Sequence, residues 1–327
     1  MIGRDLNNGG LWYTHAPELM HEGNKWYLGY IMKEANNDTT VSLTDRKTVY
    51  NQWARINNDS LRKRLGDLRY NDVEAGVWAR FYKGRLEGEG FGQSYNVYQV
   101  GVDKKVDNWT YGLAYDKQDT NQTYDFGSGE GSANDVSIYA TQYTDTGSFL
   151  DLIAKYGKVN SKYDTFGDYP DSADYDTPVY SLSVEYGKTN KYDKGYFFEP
   201  KVQLTYGHIG AEDYYTQRKT LVEESKITSL IGEVGFVAGR KINDTSDYYF
   251  KAGIYREFKG DRNVHLRADN GENMFHDESY SDTWFELGIG GNVKIAKKTH
   301  VYGDIERSFA ADIDKKWQIN AGVRWEF

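Results

Sequence analysis

The chain ends on Trp317-Gln-Ile-Asn-Ala-Gly-Val-Arg-Trp-Glu-Phe327, and the parity of this stretch decides the fold. Its odd positions are Trp317, Ile319, Ala321, Val323, Trp325 and Phe327; its even positions are Gln318, Asn320, Gly322, Arg324 and Glu326. A period of two sends successive side chains to opposite faces of a strand, so one face is apolar and aromatic and the other polar. The same alternation runs through Phe285, Leu287, Ile289, Val293 and Ile295, and through Val301, Gly303 and Ile305.

Working back from the terminus gives twelve strands, over 75–86, 95–105, 108–120, 132–144, 148–163, 177–190, 195–213, 226–242, 246–260, 282–296, 299–309 and 317–327. Tight connections (Lys105–Asn108, Asn190–Gly195, Asn243–Ser246, Ala296–Thr299) alternate with long polar ones (Thr120–Gly131, Phe166–Asp176, Asp213–Glu224, Asp261–Ser281). An even strand count with short turns on one side and long loops on the other is the pattern of a transmembrane barrel. A water-soluble two-sheet sandwich is the competing architecture. It would have to bury a face carrying lysines, glutamates and glycines, whereas a barrel with lipid outside and water or a plug inside needs that face polar. Trp109, Trp317 and Trp325 are then girdle residues at the membrane interface.

Composition supports an all-β chain. Of 327 residues, 34 are Gly, 29 are Tyr and only 4 are Pro, which suits long uninterrupted ladders. Mean hydropathy is −0.78, and no run of 18 apolar residues exists, so helical membrane spans are excluded. The absence of cysteine removes disulfides, cysteine nucleophiles and thiolate metal sites. A net charge of −9 argues against a nucleic-acid partner. The histidines show no metal-ligand spacing, and His276-Asp277 near Asp282 reads as a solvated loop. No metal and no cofactor are expected.

Residues 44–69 break the strand pattern. Val49, Trp53, Ile56, Leu61, Leu65 and Leu68 recur at helical steps, with Thr44 as the expected N-cap and Asp45 in the first turn. Twenty-six helical residues reach about 40 Å, enough to cross a bilayer barrel. Seven basic residues stand against three acidic ones here, among them Arg55, Arg62, Lys63, Arg64 and Arg69. A basic helix beside an acidic, polar-faced barrel predicts a plug in the lumen. Glu199, Glu233, Glu286, Asp304 and Glu306 face inward on the strand pattern and are the expected partners of the helix arginines. The chain thus divides into 1–43, two or so short strands that look like the cut end of a larger β-structure; 44–70, the linker helix; and 71–327, the barrel.

Four stretches carry a likeness to a known family: Arg64-Leu-Gly-Asp-Leu-Arg69, Gly76-Val-Trp-Ala-Arg80, Phe250-Lys-Ala-Gly with Arg256-Glu-Phe-Lys-Gly-Asp261, and the closing Trp317–Phe327. Over residues 45–327 the chain resembles the C-terminal translocator domain of monomeric autotransporters of Gram-negative-type bacteria. The resemblance implies a twelve-stranded antiparallel outer-membrane barrel with an N-terminal helix threading its lumen. It implies an N-terminal passenger delivered to the cell surface, of which residues 1–43 are the C-terminal remnant. Its partners would be outer-membrane lipid, the barrel assembly machinery and its own passenger, and a monomer is expected. Ile319, Val323, Trp325 and Phe327 would serve as the assembly signal. A general outer-membrane porin is the alternative, although a porin usually begins directly with its first strand.

Some members of this family cut the passenger free inside the barrel, when an asparagine amide attacks its own peptide carbonyl. Asn57-Asn58 is the tempting pair, but counting back from Gly66 the cleaving subgroup's Asn-Asn aligns with Asp59-Ser60. A regular helix through Arg55–Leu68 would also hold the Asn57 or Asn58 amide away from its carbonyl. The expectation is an intact chain and a barrel that is not an enzyme, with self-cleavage as the alternative.

Overall fold

A computed structural model describes residues 13–35, 37–58, 75–166, 170–243 and 245–327. The chain opens with an antiparallel hairpin, β1 (Tyr13–Glu22) and β2 (Lys25–Ala35), turning through Gly23. Helix α1 (Asn37–Tyr50) follows at once and continues into a single π-helical stretch, Asn51–Ile56. The helix therefore starts seven residues before the expected Thr44, and residues 37–43 belong to it rather than to the preceding β-structure. Thr44 is not an N-cap: its hydroxyl donates to the Thr40 carbonyl from inside the helix. The polar run Asn37-Asp-Thr-Thr reads as loop in isolation, but the barrel packs around Val41 and Leu43 and carries the helix through it.

The wall begins with β3 (Ala75–Gly88), β4 (Phe91–Val106), β5 (Trp109–Tyr124), β6 (Gly127–Tyr143), β7 (Ser148–Thr165) and β8 (Ser172–Lys188). After the two-residue β9 (Asn190–Lys191) it continues with β10 (Tyr196–Ile209), β13 (Ile227–Asn243) and β14 (Ser246–Glu257). It ends with β17 (Thr283–Ala296), β18 (Thr299–Phe309) and β19 (Ile313–Glu326). Each of these strands other than β9 pairs antiparallel with its neighbours in the wall, and β19 pairs with β3, which closes a twelve-stranded barrel. All twelve expected strands are present.

One expected loop is absent. Thr120–Gly131 is not a long connection, because β5 and β6 run on to a two-residue turn at Asp125-Phe126. Beyond the lipid level both faces of these strands meet water or a polar lumen, so the apolar alternation fades although the ladder continues. The two longest connections hold strands of their own. β11 (Glu212–Tyr215) and β12 (Leu221–Glu224) lie between β10 and β13, and β15 (Asp261–Arg267) and β16 (Asn273–Ser279) lie between β14 and β17. β12 pairs with β15, joining the two loops into one four-stranded sheet.

The barrel is apolar outside and polar inside. Ile138 (62%), Val234 (65%) and Ile289 (62%) are among the most exposed apolar side chains, while Gln118, Asp116, Asp135 and Glu185 are buried on the lumenal face. Close packing inside explains the Gly and Tyr content: Tyr139 lies over Gly112, where a Cβ would overlap the ring. Among the described residues no helix is long and apolar enough to cross a membrane. The crossing elements are strands.

Candidate functional site

The lumen and the helix inside it form the site. Val41, Val49, Trp53 and Ile56 pack in one apolar cluster with wall residues Tyr82, Leu86, Tyr95, Tyr163 and Ile231. Wall side chains also bond the helix backbone: Gln93 donates to the Thr48 carbonyl at 3.0 Å and Tyr82 to the Ile56 carbonyl at 3.3 Å. In turn Trp53 donates its indole N–H to the Tyr180 carbonyl at 3.1 Å.

The early turns of α1 lie at the long-loop end. The buried Asp45 carboxylate accepts from Tyr124 and Tyr175, each at 2.7 Å, and from Ser161 at 3.1 Å. Arg46 donates to Thr177 and to the Gly210 carbonyl, and Arg262 of β15 donates to the Leu43 carbonyl while pairing with Glu224 of β12. Lys47 meets Glu278 of β16 at 2.6 Å, and Tyr50 donates to Glu257 at 2.8 Å. The four-stranded loop sheet is thus folded over the outer end of the helix as a lid.

At the other end the helix stops at mid-lumen. Asn57 has left the helix, with φ −82° and ψ 6°. Its Nδ2 donates to Asp135 at 3.2 Å, and Lys155 Nζ donates to its Oδ1 at 2.7 Å and to its main-chain carbonyl at 3.1 Å. Lys155 also lies 3.3 Å from Asp116. Asn58 Oδ1 accepts from Gln203 at 3.2 Å and Thr205 at 3.1 Å. The regular helix expected through Arg55–Leu68 therefore ends at Ile56, where the π-helical stretch gives out. Asp59, Ser60, Arg62, Lys63, Arg64 and Arg69 lie outside the described residues.

All five expected lumenal carboxylates are buried or half-buried on the inner face, and of their expected partners only Arg55 lies among the described residues. Glu233 pairs with Lys201 at 2.7 Å, Glu286 with Lys315 at 3.1 Å, and Asp304 with Lys251 at 3.0 Å. Glu306 bridges Lys251 and Lys315, and Glu199 accepts from Thr189. Arg55, instead of meeting these acids, lies over the Trp284 ring at 4.1 Å. Strand-borne lysines therefore stand beside four of these carboxylates in the wall. At the terminus, Ile319, Val323, Trp325 and Phe327 share the outer face, with the last two rings 5.4 Å apart.

Sequence reasoning missed Asp45, Arg46, Asp135, Lys155 and Arg262 as contacts of the helix. A lone charge on the inward parity of a strand is the signal available for Asp135 and Lys155; it does not say what the charge meets.

A family model described as the autotransporter beta-domain matches residues 77–306. The serine protease EspP of Escherichia coli is 26% identical over 322 residues, an alignment covering 90% of this chain and 24% of that protein. The chain thus spans about a quarter of the length of that relative. Among solved structures, the beta domain of the Bordetella autotransporter BrkA superposes with a TM-score of 0.67 at 22% identity, over 78% of this chain and 100% of that one. The translocator domain of NalP from Neisseria meningitidis gives 0.64 at 12% identity, over 89% and 99%.

Proposed function

Because the chain belongs to the autotransporter beta-domain family, we propose that it is the outer-membrane translocator through which its own N-terminal passenger reaches the cell surface, with the helix left behind as a plug. The threading of the chain supports this reading. Residues 13–35 precede the helix at the long-loop end, Asn57 and Asn58 lie inside the barrel, and the wall starts at Ala75 on the short-turn side. Long loops face outward in transmembrane barrels, so the path runs from the cell's interior side to its surface. A general porin would leave the lumen open. Outer-membrane lipid and the barrel assembly machinery are the remaining partners on this reading, the protein acts as a monomer, and the β1–β2 hairpin is the last piece of the passenger. In planar bilayers the full chain should show small, noisy conductance, and deleting residues 1–70 should open a larger, steady pore. Equal conductance with and without those residues would sink the plug.

A second reading, self-cleavage after Asn57, is favoured by the contacts of that residue. Asp135 is placed to take a proton from Nδ2, which would then bond to the Asn57 carbonyl carbon. Lys155 would hold the negative charge developing on the carbonyl oxygen. Breaking the bond to Asn58 leaves a succinimide at residue 57, and the departing amine takes the proton. Intact-mass measurement on aged, folded protein tests it: a fragment beginning at Asn58 that disappears in Asp135→Asn supports cleavage, and a single full-length mass rejects it.

A further inference from the structure

The walls of the lumen bring three hydroxyls from three different strands to one point. Tyr124 comes from β5, Ser161 from β7 and Tyr175 from β8, and all three donate to one carboxylate, that of Asp45. Asp45 is fully buried; Tyr124 donates to one of its oxygens, Tyr175 to the other, and the Ser161 hydroxyl lies 3.1 Å from both. An ionised carboxylate is acceptor-only, so it matches three converging donors in a way that no neutral side chain of its size can. The adjoining Arg46 reaches the next part of the wall, to Thr177 on β8, two residues from Tyr175, and to the Gly210 carbonyl just past β10.

We propose that Asp45 is a register lock: it fixes the depth at which the threaded chain comes to rest and so holds the plug in place. This rests on the translocator reading given above. A polar lumen offers a passing chain many weak, interchangeable contacts, and these cannot select one stopping point. A displacement of one helical turn, about 5.4 Å, would carry Asp45 out of reach of all three hydroxyls. It would leave both the charge and the donors without their partners, which is costly in a low-dielectric interior. The lid adds a second hold from outside, because Arg262 grips the Leu43 carbonyl two residues away only when the helix is in this register. Asn57 and Asn58 then fall beside Asp135, Lys155, Gln203 and Thr205 as a consequence of where Asp45 stops.

The test compares full-length wild type with Asp45→Asn and, from the wall side, with the Tyr124→Phe/Tyr175→Phe pair, which leaves the helix sequence untouched. Each is reconstituted in planar bilayers after a heat-shift gel has shown a folded barrel. Losing charge-assisted hydrogen bonds should raise open-channel occupancy roughly tenfold or more in both variants. Hydrogen exchange should rise in 45–56 while the strands stay protected. Variants as silent and as protected as wild type would overturn the lock and leave the plug reading standing. A wild type that itself conducts freely would overturn the plug reading on which the lock rests.

Discussion

Arg324 and Asp103 face each other across the seam where the last strand of the barrel meets the first, with the two guanidinium Nη atoms each 2.7 Å from a carboxylate oxygen. They come from β19 and β4, so the pair spans the whole width of β3 between them. Gly76 makes the crossing possible: a Cβ there would lie 2.5 Å from Arg324 Nη2. Arg80 repeats the stitch a layer deeper, bonding Gln99 and Asn320, each at 2.9 Å. The seam is therefore fastened by side chains as well as by its backbone ladder.

Replacing Asp103 by Ala should strip the buried Arg324 guanidinium of its two-pronged partner, leaving it Glu326 at 3.5 Å, and cost about 3 kcal/mol. Removing both partners, as Asp103→Ala/Arg324→Met, should cost less than the two single changes added together. Urea unfolding in detergent micelles, followed by heat-shift gel, measures all three. Additive losses would mean that the pair is not coupled across the seam.

Phe327 and the outward residues Trp325, Val323 and Ile319 form the lipid-facing edge of the last strand. Deleting Phe327 removes few contacts from the finished barrel. Insertion into the outer membrane of cells should therefore fall severalfold, while refolding in detergent changes little. Equal losses in the two assays would assign the residue a purely structural part.

Acid should loosen the lid. Burial pushes the Glu278 carboxyl up, but Lys47 and Arg262 outweigh it and hold it below the ordinary glutamate value. A depressed folded value means that the carboxylate stabilises the lid fully above the unfolded value of about 4.3. That contribution is lost as pH falls through the lower folded value. Hydrogen exchange in β15 and β16 should rise below about pH 4 in wild type. Glu278→Gln should be flat over the same range, and an equal acid response in that variant would remove Glu278 from the mechanism.

The barrel was legible in the sequence wherever lipid met one face and lumen the other, as in Trp317–Phe327. It was illegible where strands continue past the membrane: Asp119, Asn121 and Thr123 alternate with Thr120, Gln122 and Tyr124, and neither set is apolar. The helix showed itself through Val49, Trp53 and Ile56, which do pack in the core. Its start did not, because Asn37–Thr40 carries no apolar residue. Glu199, Glu233, Glu286, Asp304 and Glu306 lie on the inward parity of their strands and are buried or half-buried. Parity gives the face of a strand residue and not which charge stands across the lumen from it.

The π-helical stretch Asn51–Ile56 has a genetic consequence. A π turn holds one residue more than an α turn, so it takes up an extra residue without turning the chain on either side of it. Excising one residue between 51 and 56 would restore α geometry. Five residues in α geometry turn through nearly the angle that six take in the π stretch, so the chain after it would keep its face. Asp45 would keep its hydroxyls, and Asn57 would still face Asp135 and Lys155. This one turn is where the plug can lose a residue without changing which face the wall touches.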